Sequence, residues 1–466
     1  MCVNNGVKCR RLIVFTSAGK PIYSYGIIDQ EMSNILSSSL IAVLSKLSFA
    51  MSTKNYNGAS NKPTQVLDHL KWMSSDSHQI VFLERKGIFL CCISSFPRDP
   101  VHYLKGLLEH VYYQIIMILT GSIHKILHSR PNFDIRQMLS NSDINILDQC
   151  VNSAQTNFDS VYHFYNFNIN SKTMNPLTSA IKSDCFPPVI PKNLYLESLP
   201  IEWRYRKEIN KIISGVKIEE LLGGILFESK KLVTWFGSKY IKDLPSTEFS
   251  LLKNIASIFS NKGTLNNELW IPICLPTISI ASYIYCYIQY WSSVDGSSNT
   301  ISDTCFILLS SCGDTSIFEK CSVHSTNCRK IILETGYHNA VKSSEINTLV
   351  LNNILNRECN KAEILHIVFV SLIKNNYVTS KTHHDIHELK NTFKIYFELL
   401  EIAHSQIRMQ KDTNIIMSST QKFKYLVIST NEYQIFSTFS SDSNIDETIT
   451  KSVTEHFSKN NKYFFV

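Results

Sequence analysis

The chain has no C-x-x-C pair, no G-x-x-x-x-G-K-[ST] and no G-x-G-x-x-G after a strand-like run. Neither a P-loop nor a dinucleotide site is therefore announced. H-E-x-x-H and the G-x-S-x-G elbow are missing as well, which removes the commonest metalloprotease and hydrolase signatures. The thirteen cysteines are odd in number and scattered, several of them within apolar runs where the residue serves as a small hydrophobe. That distribution argues against a disulfide framework and for a reduced, cytosolic protein. The first ten residues lack an apolar h-region, so no signal peptide is read. The most membrane-like stretch, Leu269 to Trp291, is cut by Pro272 and Pro276 and reads as two aromatic-rich strands around a loop. There is no long basic block either. The net charge of +7, from 46 basic and 39 acidic residues, is spread along the chain; it permits an acidic partner or an anionic membrane without arguing for nucleic acid.

What is present is a folded composition, 44% hydrophobic and 11% aromatic, at a length that implies about three domains. The organising stretch is Arg11 to Gly26. Leu12-Ile13-Val14-Phe15 is an apolar, β-branched run, Ser17-Ala18-Gly19-Lys20 supplies turn chemistry, and Pro21 fits the first residue of a returning strand. A helix pattern follows at about Glu31 to Phe49, then a polar loop, and then a second hairpin from Gln79 to Ser94 turning at Glu84 to Gly87. Spacing predicts one helix from Val101 to His128 and another that starts at Asn132 to Leu139. The prolines at 176, 187, 188, 191 and 200 suggest a surface connector over 154–214. The strand–strand–helix opening recurs at Leu221 to Phe236 and at Glu363 to Thr379, the latter followed by a helix through Ile407, a hairpin over Lys424 to Phe439 and a strand-like end at Tyr463 to Val466. The expected organisation is a polar lead (1–10), a first domain (11–153), a connector (154–214), a second domain (215–335), a connector (336–360) and a third domain (361–466), all α+β.

Few residues offer chemistry. Thr382-His383-His384-Asp385-Ile386-His387 lacks an accompanying cysteine or carboxylate ligand set and reads as a polar loop. Cys91 and Cys92 lie mid-strand among Phe89, Leu90 and Ile93 and read as packing residues. No cofactor and no conventional active site are expected.

Several stretches together resemble the Mon-one/SAND family of vacuolar fusion proteins: Ser17 to Gly26, Ile80-Val-Phe-Leu, Tyr112-Tyr113-Gln114-Ile115, Arg130-Pro-Asn-Phe-Asp-Ile-Arg136 and Trp270-Ile-Pro-Ile-Cys-Leu-Pro276. The resemblance implies three longin-type (roadblock/longin) α-β-α domains in tandem. It also implies one subunit of a heterodimeric guanine nucleotide exchange factor, with a Ccz-one-like longin partner, acting on the late-endosomal Rab GTPase of the seven class. Exchange would be mechanical, with no acid, base or metal site, and the protein would be cytoplasmic and peripheral on endosome, vacuole or lysosome membranes. Family members commonly carry a long polar N-terminal extension, whereas here the first strand is read about ten residues in. The residues singled out for GTPase or partner contact are Ser17, Lys20, Tyr23, Tyr25 and Trp72; strand alternation offers the competing expectation that Tyr23 and Tyr25 divide between core and surface. Lys230, Lys231, Lys239 and Lys242 form a candidate phosphoinositide patch. A non-catalytic longin adaptor or tether is the alternative reading.

Overall fold

A computed structural model describes residues 10–27, 30–54, 70–95, 101–152, 196–216, 218–242, 244–260, 268–291, 304–337, 341, 363–374, 376–380, 413–419, 421, 423–459 and 464. Two compact units result: the chain up to Asn152 together with Ile273–Tyr283, and Ser153–Pro272 together with Ile284 onward.

In the first unit, β1 (Arg10–Thr16) and β2 (Pro21–Tyr25) form the expected hairpin, with Val14 opposite Tyr23 and Leu12 opposite Tyr25. Its turn requires a left-handed residue, and Gly19 provides it at φ 76°. With β3 (Trp72–Ser74), β4 (Gln79–Arg85) and β5 (Ile88–Ser94) it makes an antiparallel sheet in the order β2-β1-β5-β4-β3. On one face, Leu44 of α1 (Gln30–Lys54) packs with Ile13, Phe15, Phe82 and Cys91. The alternate positions Leu12, Val14, Leu90 and Cys92 are equally buried on the other face, where α2 (Val101–Leu119) lies against β4 and β5. Leu104, Leu107, Leu108, Val111 and Ile115 supply the buried stripe of α2, each contributing about 1.5–3 kcal/mol through removal from water.

The single helix expected from Val101 to His128 is broken. α2 stops at Leu119, Thr120 turns left-handed at φ 63°, and α3 (Ser122–Ser129) starts afresh. The cause lies outside the helix. Cys274 N–H donates to Met117 O at 2.8 Å, Tyr283 Oη donates to Ile118 O at 3.1 Å, and Gly121 N–H donates to Ile280 O at 2.6 Å. The segment Ile273–Tyr283 thus takes up helix-end carbonyls that have no donor within α2. The second helix, expected to start at Asn132 to Leu139, starts later, and that stretch holds one 3-10 turn at Ile135–Met138. The helix proper is α4, over residues 141–152. Ser140 caps it reciprocally with Asp143: its hydroxyl accepts from Asp143 N–H at 3.2 Å, and the Asp143 carboxylate accepts from Ser140 N–H at 2.8 Å.

In the second unit, β7 (Leu221–Glu228), β8 (Lys231–Gly237), β9 (Glu268–Ile273), β10 (Ile284–Trp291) and β11 (Thr304–Ser310) form a sheet in the order β8-β7-β11-β10-β9. Two helices, α6 (Lys239–Lys242) and α7 (Ser246–Ser260), follow β8, and α8 (Thr315–Glu334) follows β11. The segment expected as a surface connector in fact contains β6 (Leu196–Glu197) and α5 (Trp203–Ser214). Ile209 and Ile213 of α5 are buried in one cluster with Leu226, Val233 and Phe306 of the sheet and Ile317 and Ile332 of α8. All five prolines precede this helix and none enters it, so the proline count overstated the irregularity of the segment.

The third sheet consists of β12 (Ile364–Ser371), β13 (Asn376–Thr379), β14 (Thr413–Ser419), β15 (Phe423–Thr430) and β16 (Tyr433–Ser440), with α9 (Glu447–Lys459) after it. β6 adds to it in parallel beside β13, giving β14-β15-β16-β12-β13-β6. Leaving β6 aside, all three sheets run second-first-fifth-fourth-third, so the same α+β unit occurs three times. Phe464 packs on Phe369 and Phe457 in the third core; the rest of the expected closing strand, the helix through Ile407 and the His383 stretch lie outside the described residues.

β6 also joins the two sheets of this unit. Ser198 N–H donates to Tyr377 O at 2.9 Å on β13, and Leu199 N–H donates to Leu232 O at 2.8 Å on β8. Between them Glu197 pairs with Lys231 at 3.0 Å and accepts from Tyr377 Oη at 3.3 Å.

Two consequences are measurable. A Cβ on Gly121 would lie 2.4 Å from Ile280 Cγ1 and 2.8 Å from its carbonyl oxygen, so Gly121→Ala is expected to lower unfolding free energy by about 1–3 kcal/mol in chemical denaturation. Burial holds the imidazole of His366 down to about 3, and those of His124, His324 and His456 below the ordinary 6.5. The unfolded chain takes up protons that these sites refuse, so stability is full above pH 6.5 and is lost as pH falls below it; for His366 the loss continues toward pH 3 at about 1.4 kcal/mol per unit. A denaturation series in this window should show the decline, with a shallower slope for His366→Gln.

Candidate functional site

The tip of the β1–β2 hairpin is held from several sides. Thr16 N–H donates to Lys20 O at 2.8 Å and Gly19 N–H donates to Thr16 O at 2.9 Å, closing the turn. Ser37 of α1 donates its hydroxyl to Gly19 O at 2.8 Å, and Ser17 N–H donates to Gly87 O of the β4–β5 turn at 3.2 Å. Ser17 is exposed, and Lys20 is half-exposed. Lys20 acts on the Asp134 carboxylate, which is held below its usual range chiefly by hydrogen bonding to Arg136, with Lys20 a smaller contributor. Asp134 accepts from Arg136 Nε at 3.0 Å and from its guanidinium NH2 at 2.8 Å. Two motifs more than a hundred residues apart, the hairpin and Arg130–Arg136, therefore meet on one surface. Asp134 and Arg136 were not singled out from the sequence, although the Asp-x-Arg spacing inside a distinctive motif was the available signal.

Tyr23 and Tyr25 do not divide between core and surface. Residues two apart on a strand point the same way, so the alternation expectation is corrected. Both are buried, and both hydroxyls donate to α4: Tyr23 to Asp148 at 2.8 Å, Tyr25 to Asn152. Burial, reinforced by Asp148, pushes the Tyr23 phenol well up and keeps its proton in that bond. The pair fastens α4 to β2. Trp72 is 51% exposed on β3, at the other edge of the sheet, four strand spacings or roughly 19 Å away. Met32, Ile35 and Val43 are exposed along the outer face of α1. Cys91 and Cys92 are buried mid-strand, and burial pushes the Cys91 thiol up, away from nucleophilic use. Among the described residues no group of three His, Cys, Asp or Glu is placed to hold a metal.

The four lysines fall into two pairs. Lys230 sits left-handed at φ 66° in the β7–β8 turn, and its neighbour Lys231 is ion-paired with Glu197. Lys239 and Lys242 are exposed on α6, beyond the far end of β8, a strand length of about 20 Å away. Lys242 lines a groove of about 440 Å³ with Asn210, Ser214, Trp235 and Phe236.

Residues 10–150 match the first longin domain of FUZ, MON1 and HPS1, and residues 219–328 match the second longin domain of the same group. The chain belongs to the MON1 family. It is 25% identical to the vacuolar fusion protein MON1 homolog of Oryza sativa subsp. japonica over 283 residues, 60% of this chain and 40% of that protein. It is 25% identical to the vacuolar fusion protein MON1 of Candida albicans over 308 residues, 63% of this chain and 48% of that protein. The homolog of Arabidopsis thaliana is also 25% identical over 306 residues, 66% of this chain and 40% of that one. The chain thus spans less than half the length of these curated relatives. The MON1-type first longin domain contains the hairpin, Trp72 and Arg130–Arg136; the second contains all four lysines. No helix among the described residues is long and apolar enough to cross a membrane.

Tyr23→Phe leaves Asp148 without that donor and should cost about 1–3 kcal/mol in chemical denaturation. Trp72→Ala, on an exposed edge, should stay within about 0.5 kcal/mol of the parent, which makes it the cleaner probe of function.

Proposed function

We propose that this chain is one subunit of a heterodimeric exchange factor for the late-endosomal Rab GTPase of the seven class, working with a Ccz-one-like longin partner at endosome, vacuole or lysosome surfaces. Membership of the MON1 family supports this, as does the identity of the matched relatives as vacuolar fusion proteins. The single observation that carries it is that the first longin domain exposes apolar side chains in two separate places, the outer face of α1 and the edge strand β3. Met32, Ile35 and Val43 on α1 and Trp72 on β3 stand exposed on a domain whose hairpin tip is rigidly braced. An exchange factor needs a firm protein-binding surface rather than an acid, base or metal. It works by binding the nucleotide-free GTPase more tightly than the loaded one, drawing switch I aside and loosening the magnesium and phosphate contacts. Lys20 and Ser17, exposed at the braced tip, are assigned to the same protein contact, and Tyr23 and Tyr25 support it from beneath. Lys239 and Lys242, beside Tyr240 at 60% exposure, are assigned to phosphoinositide headgroups.

The test combines the chain, its partner and the GTPase loaded with fluorescent nucleotide. Release should accelerate at least about tenfold, and Trp72→Ala and Ile35→Asp should each remove most of that gain without lowering thermal stability. Release at the buffer rate sinks the proposal. Tight binding of the GTP-loaded form, with release unchanged, replaces it with the adaptor or tether reading.

A further inference from the structure

The described sheet edges are guarded in different ways, with one exception. β2 starts on Pro21, which has no N–H, and is irregular against β1 between Val14 and Phe15. β3 has only three residues. β9 carries Glu268 and Pro272. On β8, Leu232 O accepts from Leu199 N–H at 2.8 Å and Trp235 O accepts from the Asn210 side chain at 2.7 Å. β13 is paired by β6.

β14 is different. It pairs with β15 in unbroken register for seven residues, from Thr413 opposite Thr430 to Ser419 opposite Lys424, and then ends the sheet. Its sequence, Thr-Asn-Ile-Ile-Met-Ser-Ser, holds no charge, proline or glycine. Ile415 and Met417, on the same side by alternation, are 51% and 50% exposed. A long, regular, uncharged edge with exposed apolar side chains is a template for another strand, which folded proteins otherwise block with lysine, proline or a bulge.

We propose that β14 pairs antiparallel with β14 of a second copy of this chain, about a two-fold axis through Ile416. The sequence is self-complementary in that register. Ile415 of one copy faces Met417 of the other, Asn414 faces Ser418, and Thr413 faces Ser419. Apolar meets apolar twice on one face, Ile416 meets Ile416 on the other, and the remaining pairs are polar and neutral. Such an interface is isologous, as a two-fold contact must be. Each copy carries a net charge of +7, and an uncharged strand places none of it at the seam. One strand pair covers less than the roughly 1,600 Å² of a standard stable interface, so the association is weak and concentration-dependent.

Sedimentation velocity of the full chain over a concentration series should show a monomer–dimer equilibrium, and Met417→Lys should abolish the dimer while leaving the thermal midpoint unchanged. Crosslinking with a short bis-maleimide supplies a second readout. Ile416→Cys sets two thiol-bearing Cβ atoms roughly 5 Å apart across the axis, whereas Ser418→Cys faces Asn414. Relative to the parent, which has its own cysteines, Ile416→Cys should raise the dimer band at least about fivefold and Ser418→Cys should not. A monomer at every concentration, equal crosslinking of the two variants, or a dimer that survives Met417→Lys overturns the proposal. An edge that takes only a strand of some other protein gives the first of these results.

Discussion

The pairing of the first strand with the fifth is the constraint on which each domain depends. β1 lies against β5, β7 against β11 and β12 against β16, in each case antiparallel and near the middle of its sheet. Each pairing spans a long stretch of chain, so it closes a large loop and carries an entropic cost that local hairpins do not. The return is burial on both faces: Leu12, Ile13, Val14 and Phe15 are all essentially inaccessible, as are Ile307, Leu308 and Leu309 on β11. Such central strands must be apolar throughout rather than alternating, which is why they read as continuous hydrophobic runs in the sequence.

That physics also explains which parts of the fold were legible. The hairpin at Arg11–Gly26 could be read because its signals are local: β-branched strand, glycine at a left-handed turn, proline where no ladder hydrogen bond is needed. The three repeated openings could be read for the same reason. β3 and β14 were missed because one is three residues long and the other is polar at both ends, with apolar residues only at its centre. The break at Thr120 was invisible because its cause is a segment over 150 residues away whose donors satisfy the end of α2. Periodicity describes a helix face, and it cannot report what meets the helix end. The connector was misjudged similarly: its prolines are local, while the burial of Ile209 and Ile213 is tertiary.

The candidate site divides along the same line. Ser17 and Lys20 were placed correctly at an accessible tip, because turns are surface features. The split expected for the two tyrosines fails on local geometry, because residues two apart on a strand share a face, whereas their partners Asp148 and Asn152 are tertiary and carry no local signal. Lys230, Lys231, Lys239 and Lys242 are close in sequence, but an extended strand separates rather than gathers them, and Lys231 is tied to Glu197.

Edges, rather than faces, finally distinguish the three otherwise similar sheets. A five-strand sheet of this order always ends in its second and third strands, so two rows of backbone groups must be accounted for in each. The second and third sheets settle one edge apiece against the same segment, Leu196–Leu199, which bonds to β13 on one side and β8 on the other. That shared strand explains why residues from Ser153 onward, apart from Ile273–Tyr283, form one compact unit containing two sheets. The edges left over are β2 with its proline and irregular register, β3 with Trp72, β9 with its proline, and β14. Among the described strands, β3 and β14 are the edges that carry exposed apolar side chains without a proline, which makes them the best suited to further backbone pairing. β3 is too short to hold a partner by its ladder alone and needs side-chain contacts such as Trp72. β14 has the length to act through its backbone.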